Sequence, residues 1–255
     1  MIAQRFGAGD YSGMRKFIAN SIYLCIAVAV ILTAVTMLLT KPILTVMNTP
    51  KEIYDYAYNY IIIIFAGISA TMFYNILSGI LRAVGDSRTP LIFLGVSSVL
   101  NVGLDLLCII VFKMGVAGAG IATVISQAIS AFLCLIYIRK NYDILRFEHD
   151  EFKFEAHRAK RLVSVGIPMA LQFSITAIGS IILQSAVNSL GTASVASVTA
   201  ATKIQTVAIG PMESLGITMA TYCGQNRGAG KYTRIRVGIR PVSYTHLRAH
   251  ETPEH

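Results

Sequence analysis

Six long apolar stretches divide this chain, at about 17–40, 56–81, 90–112, 114–138, 162–190 and 193–222. Each exceeds the roughly 20 residues a helix needs to cross about 30 Å of hydrocarbon, which is longer than a soluble core requires. The composition agrees: 54% of residues are hydrophobic and 14% are charged, against about 25% charged in an ordinary soluble domain. The chain therefore reads as an all-α polytopic membrane protein. Breakers separate the stretches: Lys41-Pro42 with Asn48-Thr49-Pro50, the Gly85–Pro90 turn, Lys113, the charged 139–161 segment, and Gly191.

The formal charge of +9 has a topological source. Of the loops between stretches, those at the start, at 82–89, at 139–161 and after 222 carry seventeen Lys and Arg, while the alternate loops carry only Lys41, Lys51 and Lys113. The rich side is the cytoplasmic one, so nucleic acid is not an expected partner. Four scattered cysteines, Cys25, Cys108, Cys134 and Cys223, contain no CxxC pair and read as packing residues. No phosphate-cradling G-x-x-x-x-G-K-[ST] run occurs, which excludes ATP as the direct energy source. Nothing resembles a nucleophile–base arrangement, so the chain is not expected to be an enzyme.

An internal match organises the rest. Residues 3–16 align with 224–237 at a constant offset, with Gln4/Gln225, Gly7/Gly228, Ala8/Ala229, Gly9/Gly230, Tyr11/Tyr232 and Arg15/Arg236 identical. Six crossings between the copies return the chain to the same side. This predicts parallel six-helix repeats, two lobes and twelve helices in an intact protein. On that scheme 1–138 is the later part of one lobe, 139–161 the cytoplasmic linker, and 162–240 the start of the second lobe. Residues 1–16 are polar and Gly-rich and read as a loop with no signal peptide. Residues 241–255 hold His246, His250 and His255 and match translated sequencing adapter better than coding sequence; the chain reads as a fragment.

The Gln-x-x-Gly-Ala-Gly copies, R-A-V-G-D-S-R-T-P (82–90), N-V-G-L-D (101–105), G-A-G-I-A-T (118–123) and G-I-P-M-A-L-Q (166–172) together resemble the multidrug and toxic compound extrusion (MATE) family. The resemblance covers residues 1 to about 240, matching helices three to eight of twelve. It implies a monomeric multi-pass exporter in the cytoplasmic (inner) membrane of a bacterium, without a cofactor. Such a protein drives small amphipathic or cationic compounds outward in exchange for Na⁺ or H⁺. The alternatives are a flippase for lipid-linked oligosaccharides, which would need several basic residues along its cavity, and a non-transporting receptor or scaffold.

Asp105 leads the candidate site residues, because an ionisable group inside a span is a functional hypothesis by default. Asn101 lies one helical turn earlier on the same face. At 1.5 Å per residue, Asp105 and Asn101 sit roughly 10 and 16 Å below the outer end of their helix, and Thr123 roughly 14 Å down the next. A carboxylate, an amide oxygen and a hydroxyl at one level suit a small hard cation such as Na⁺, and the carboxylate could equally carry a proton. The family resemblance implies a cation site at these three positions, completed by an aspartate from helix one. Some relatives also carry an acidic residue in helix seven, which 162–190 lacks. Cavity or substrate contacts are expected from Asn75, Gln172, Thr176, Lys203 and Glu213. Pro168 and Pro211 are candidates to kink their helices and free carbonyls, and Tyr54, Tyr56, Tyr58 and Tyr60 read as an outer interfacial belt.

Overall fold

A computed structural model describes residues 1–46, 51–188 and 190–239. The C-terminal tail read as non-native lies outside the described residues, as do the Asn48-Thr49-Pro50 break and Arg240. Eight α-helices follow one another: α1 (Ile2–Gly7), α2 (Tyr11–Val46), α3 (Lys51–Ala66), α4 (Ile68–Ala83), α5 (Arg88–Leu106), α6 (Gly115–Asn141), α7 (Ala156–Asn188) and α8 (Thr192–Gly228). No strand occurs among the described residues.

Among the described residues five spans are long and apolar enough to cross a membrane: Tyr11–Thr45, Lys51–Ala83, Arg88–Val111, Gly115–Asn141 and Ala156–Val187. This is a multi-pass membrane protein. The sixth expected crossing forms one continuous helix, the 37-residue α8, but is more polar than the rest because Lys203, Gln205, Glu213 and a series of Ser and Thr interrupt it. Its serine and threonine hydroxyls turn back onto carbonyls four residues earlier, as Thr202 does to Val198 (2.8 Å) and Thr206 to Thr202 (2.8 Å).

The second stretch is one span but two helices. Gly67 interrupts it, and the Val124 side chain of α6 packs there: a Cβ at Gly67 would stand 2.2 Å from Cγ2 of Val124, so any larger residue would have to displace that side chain. The α5 span also changes form, closing with a π-helical turn at Leu107–Val111. Lys113 (φ 52°) and Gly115 (φ 58°) then reverse the chain in a few residues.

The chain forms two compact units, Asp10–Phe154 and a second that joins Ala3–Gly9 to the chain from Glu155 onward. In the first, α6 packs against α5, α4 and α3, while α2 packs against α3 and α4. The 142–155 segment folds down onto the start of α2. Arg15 is the anchor. Its guanidinium donates to both carboxylate oxygens of Glu151, to Glu148 (2.9 Å) and to the Ile144 carbonyl (3.3 Å), with Arg15 and Glu151 both buried. Around this clasp Asn20 reaches the Lys153 carbonyl (3.4 Å), and the Tyr23 ring lies 5.1 Å from Phe152.

In the second unit the repeat becomes visible as geometry. Residues 1–16, expected as a loop, are helical except at the Ala8–Asp10 turn. The Gln-x-x-Gly-Ala-Gly run is a helix C-terminus: the Ala8 N–H returns to the Gln4 carbonyl (3.1 Å) and Gly9 adopts φ 72°. The second copy ends α8 the same way, with Ala229 returning to Gln225 (3.0 Å) and Gly230 at φ 70°. The two copies also touch reciprocally. A Cβ on Gly7 would meet the Gln225 carbonyl oxygen at 1.9 Å, and one on Gly228 would meet that of Gln4 at 1.9 Å. Equivalent residues exchanging equivalent contacts are the mark of a local two-fold axis.

Two predictions follow from these contacts. Gly7→Ala or Gly228→Ala forces two backbones apart and should destabilise the chain by about 1–3 kcal/mol, whereas Gly79→Ala, which meets nothing within 4 Å, should be neutral or mildly stabilising; thermal unfolding in detergent compares them. Hydrogen bonds from Arg15 hold the Glu151 carboxyl at about 2, against the cost of burial and with help from the Glu148 N–H. A carboxyl lowered on folding stabilises fully above its ordinary value of 4.5 and loses that contribution as pH falls toward 2. Glu151→Gln should therefore cost about 3–5 kcal/mol at neutral pH and flatten the stability profile across this acid window.

Candidate functional site

The α5–α6 pair positions the candidate residues through an antiparallel ladder of polar side chains. Ser130 Oγ donates to the Phe93 carbonyl (2.8 Å), Ser97 Oγ to that of Ser126 (2.8 Å), and Asn101 Nδ2 to Thr123 Oγ1 (3.4 Å). Further out, Gly118 approaches Cys108, whose Cβ would lie 2.9 Å from a Cβ on the glycine. The register holds nearly constant from Phe93/Ser130 to Asn101/Thr123, drifts by two residues at Cys108/Gly118, and sets the Asp105 level near Ala119. The Ala119 carbonyl, in turn, accepts from Thr123 Oγ1 (2.9 Å).

The structure thus brings Asn101 and Thr123 into contact, with Asp105 one turn outward on the same helix. Asp105 is half-buried, and its Oδ1 is fully buried with no hydrogen-bond partner among the described residues. A buried carboxylate oxygen without a donor carries an uncompensated desolvation cost. Such an atom is what a cation or a proton would satisfy. The π-helical turn that begins two residues later, at Leu107, is a form that recurs next to functional sites.

Two other buried oxygens share the orphaned state among the described residues, Thr33 Oγ1 on α2 and Gln127 Oε1 on α6. Gln127 lies one turn inward of Thr123 on the same helical face. The sequence reading missed it because a glutamine at an apolar spacing carries no signal until its neighbours are known.

The remaining candidates stand apart from this centre. Asn75 is exposed and lines a groove of about 420 Å³ between α2 and α4 with Ser21, Cys25 and Met72. Gln172 and Thr176 are exposed on α7, where Thr176 Oγ1 bonds only back to the Gln172 carbonyl (3.0 Å) among the bonds seen. Lys203 and Glu213 are exposed on α8. Helices α7 and α8 continue through Pro168 and Pro211.

With this geometry in view, known proteins locate the chain. The family profile MatE matches residues 1–107 and 168–244. The chain belongs to the MatE family. A probable multidrug resistance protein of Bacillus subtilis, YpnP, is 32% identical over 92% of this MATE chain and 52% of its own length. A probable multidrug resistance protein of Thermotoga maritima, NorM, is 27% identical over 94% of the chain and 52% of its own. The chain spans about half the length of these relatives. A crystal structure of MATE in the bent conformation superposes with a TM-score of 0.90 at 23% identity, covering 97% of the chain and 56% of that structure. A MOP superfamily transporter from Pyrococcus furiosus gives a TM-score of 0.88, also at 23% identity, over 97% of the chain and 55% of its own. These structures establish that the helices of this MATE chain share one fold with them.

The orphaned carboxylate yields a stability prediction. In a Na⁺-free choline buffer at neutral pH, Asp105→Asn keeps the shape and removes the buried charge. It should unfold no earlier than the parent chain and gain up to about 1 kcal/mol. Thermal unfolding followed by intrinsic tyrosine fluorescence measures this; a clear loss of stability would mean that the carboxylate has a structural partner after all.

Proposed function

We propose that this chain is part of a secondary active multidrug exporter of the bacterial cytoplasmic membrane. It exchanges Na⁺ or H⁺ for small amphipathic or cationic compounds by alternating access. The names of the relatives as multidrug resistance proteins support the transport reading. The observation that carries the coupling role is the partnerless, buried Asp105 Oδ1 beside the Asn101–Thr123 contact. In this reading Asp105 supplies the charge that holds the cation. The Asn101 and Thr123 oxygens complete an oxygen set fit for Na⁺, or orient the carboxyl that takes up a proton.

Coupling then follows from linkage. Cation and substrate favour different arrangements of the protein, so binding one shifts the population against the other. Gln172, Thr176, Lys203 and Glu213 supply exposed polar groups on α7 and α8 for substrate contact. A flippase for anionic lipid-linked sugars fits less well, since Lys203 is the one basic side chain deep within the expected spans.

The test uses a transporter of the full length of its relatives, of which this chain spans about half. Reconstituted in vesicles, it should move ethidium when a Na⁺ or pH gradient is imposed, and the gradient that works names the ion. Asp105→Asn should reduce this movement to the protein-free background while ethidium binding persists. Undiminished transport in the variant would move coupling away from Asp105.

A further inference from the structure

One cavity in the Asp10–Phe154 unit has no place in cation-coupled export. It measures about 620 Å³ and lies where the start of α2 and the ends of α4 and α6 meet the 142–147 segment. That volume falls in the range of sites that hold small organic molecules and exceeds what an ion needs. Its walls divide by chemistry. Ile18 and Ile22 of α2, Leu77 and Ile80 of α4, and Leu135 and Ile138 of α6 make an aliphatic slot. At one margin stand Arg139, the last-turn residue of α6, and Arg146.

The two arginines are tied to each other by structure. Arg146 Nη2 donates to the Arg139 carbonyl (3.2 Å), which brings the second guanidinium back over the helix end. In and beside this margin three basic residues, Arg139, Lys140 and Arg146, stand against two carboxylates, Asp143 and Asp86. Asp143 pairs with Arg146 at 3.1 Å from an exposed position. Asp86 is engaged by the Tyr142 hydroxyl (3.0 Å) and the Thr89 N–H (3.0 Å). The position matters too. Both arginines belong to the segment richest in Lys and Arg, the one assigned to the cytoplasmic face, where anionic headgroups lie in the inner leaflet.

An aliphatic slot that opens on a pair of guanidinium groups at this depth matches one kind of ligand. We propose that this cavity binds an anionic phospholipid of the inner leaflet, with its phosphate between Arg139 and Arg146 and the upper part of an acyl chain along Ile18, Leu77 and Ile138. The occupant is held by two complementary features at once, charge at the margin and apolar area within. A zwitterionic lipid satisfies the second and gains little from the first. The site is independent of Asp105, so neither reading stands or falls with the other. It lies against the 142–155 segment, and a bound lipid would add contacts to the segment that Arg15 already clasps.

The experiment is native mass spectrometry of the full chain released from detergent carrying phosphatidylglycerol or phosphatidylcholine. The parent chain should retain phosphatidylglycerol in clear preference. Arg139→Ala/Arg146→Ala should weaken that retention about thirtyfold, which at 1.4 kcal/mol per tenfold is about 1 kcal/mol for each arginine. Arg139→Lys/Arg146→Lys should keep most of it. Ile138→Trp fills the slot without changing charge and should also abolish the preference, while Lys160→Ala/Arg161→Ala, outside the cavity, should leave it intact. Equal retention of the two lipids by the parent chain would overturn the proposal, as it would if other protein segments fill the slot. So would an equal loss in the Lys160/Arg161 variant, which would make the effect one of general charge. Competition by inorganic phosphate as strong as that by the lipid would overturn it in favour of a free-anion site. Unfolding temperatures within a few degrees of the parent chain establish that each variant is folded.

Discussion

In hydrocarbon an unpaired backbone amide costs several kcal/mol, and this one cost shapes nearly everything in the chain. Helices meet it within a single segment, so α2, α7 and α8 run on through Pro42, Pro168 and Pro211. Side-chain hydroxyls obey the same rule. Those of α8 fold back on carbonyls one turn earlier, and those of Ser97 and Ser130 cross to carbonyls of the neighbouring helix. Against such thorough pairing, three buried side-chain oxygens among the described residues, on Thr33, Asp105 and Gln127, stand out for lacking a partner.

Close approach of backbones is the second recurring device. Without a hydrophobic force between helices in lipid, packing and direct contact hold them together, and small residues permit both. Gly67 admits Val124 and breaks a span in two. Gly7 and Gly228 each admit the other copy's glutamine carbonyl, which turns a sequence repeat into a symmetric crossing. The matched turns at Gly9 and Gly230 show that the two copies are alike in backbone as well as in letters.

Charge serves different purposes at different depths. Near the start of α2, Arg15 is buried but matched by Glu148, Glu151 and a carbonyl, so it fixes the 142–154 segment to α2. A buried ion pair of this kind is costly to break rather than strongly stabilising in itself. Asp105, within the α5 span, keeps one buried carboxylate oxygen without such a match among the described residues.

The number, length and helical nature of most spans were legible in the sequence, because apolar length and local hydrogen bonding are properties of a segment alone. The Asn101–Thr123 contact was legible for the same reason: spacing fixes depth along a helix. The helicity of residues 1–16 was missed, since a Gly-rich polar run looks like a loop until its capping bonds are drawn. So were the interruption at Gly67, the orphaned Gln127 oxygen and the partner of Arg15. Each of these depends on which residue of a distant helix stands opposite, and that register is set only when the helices pack.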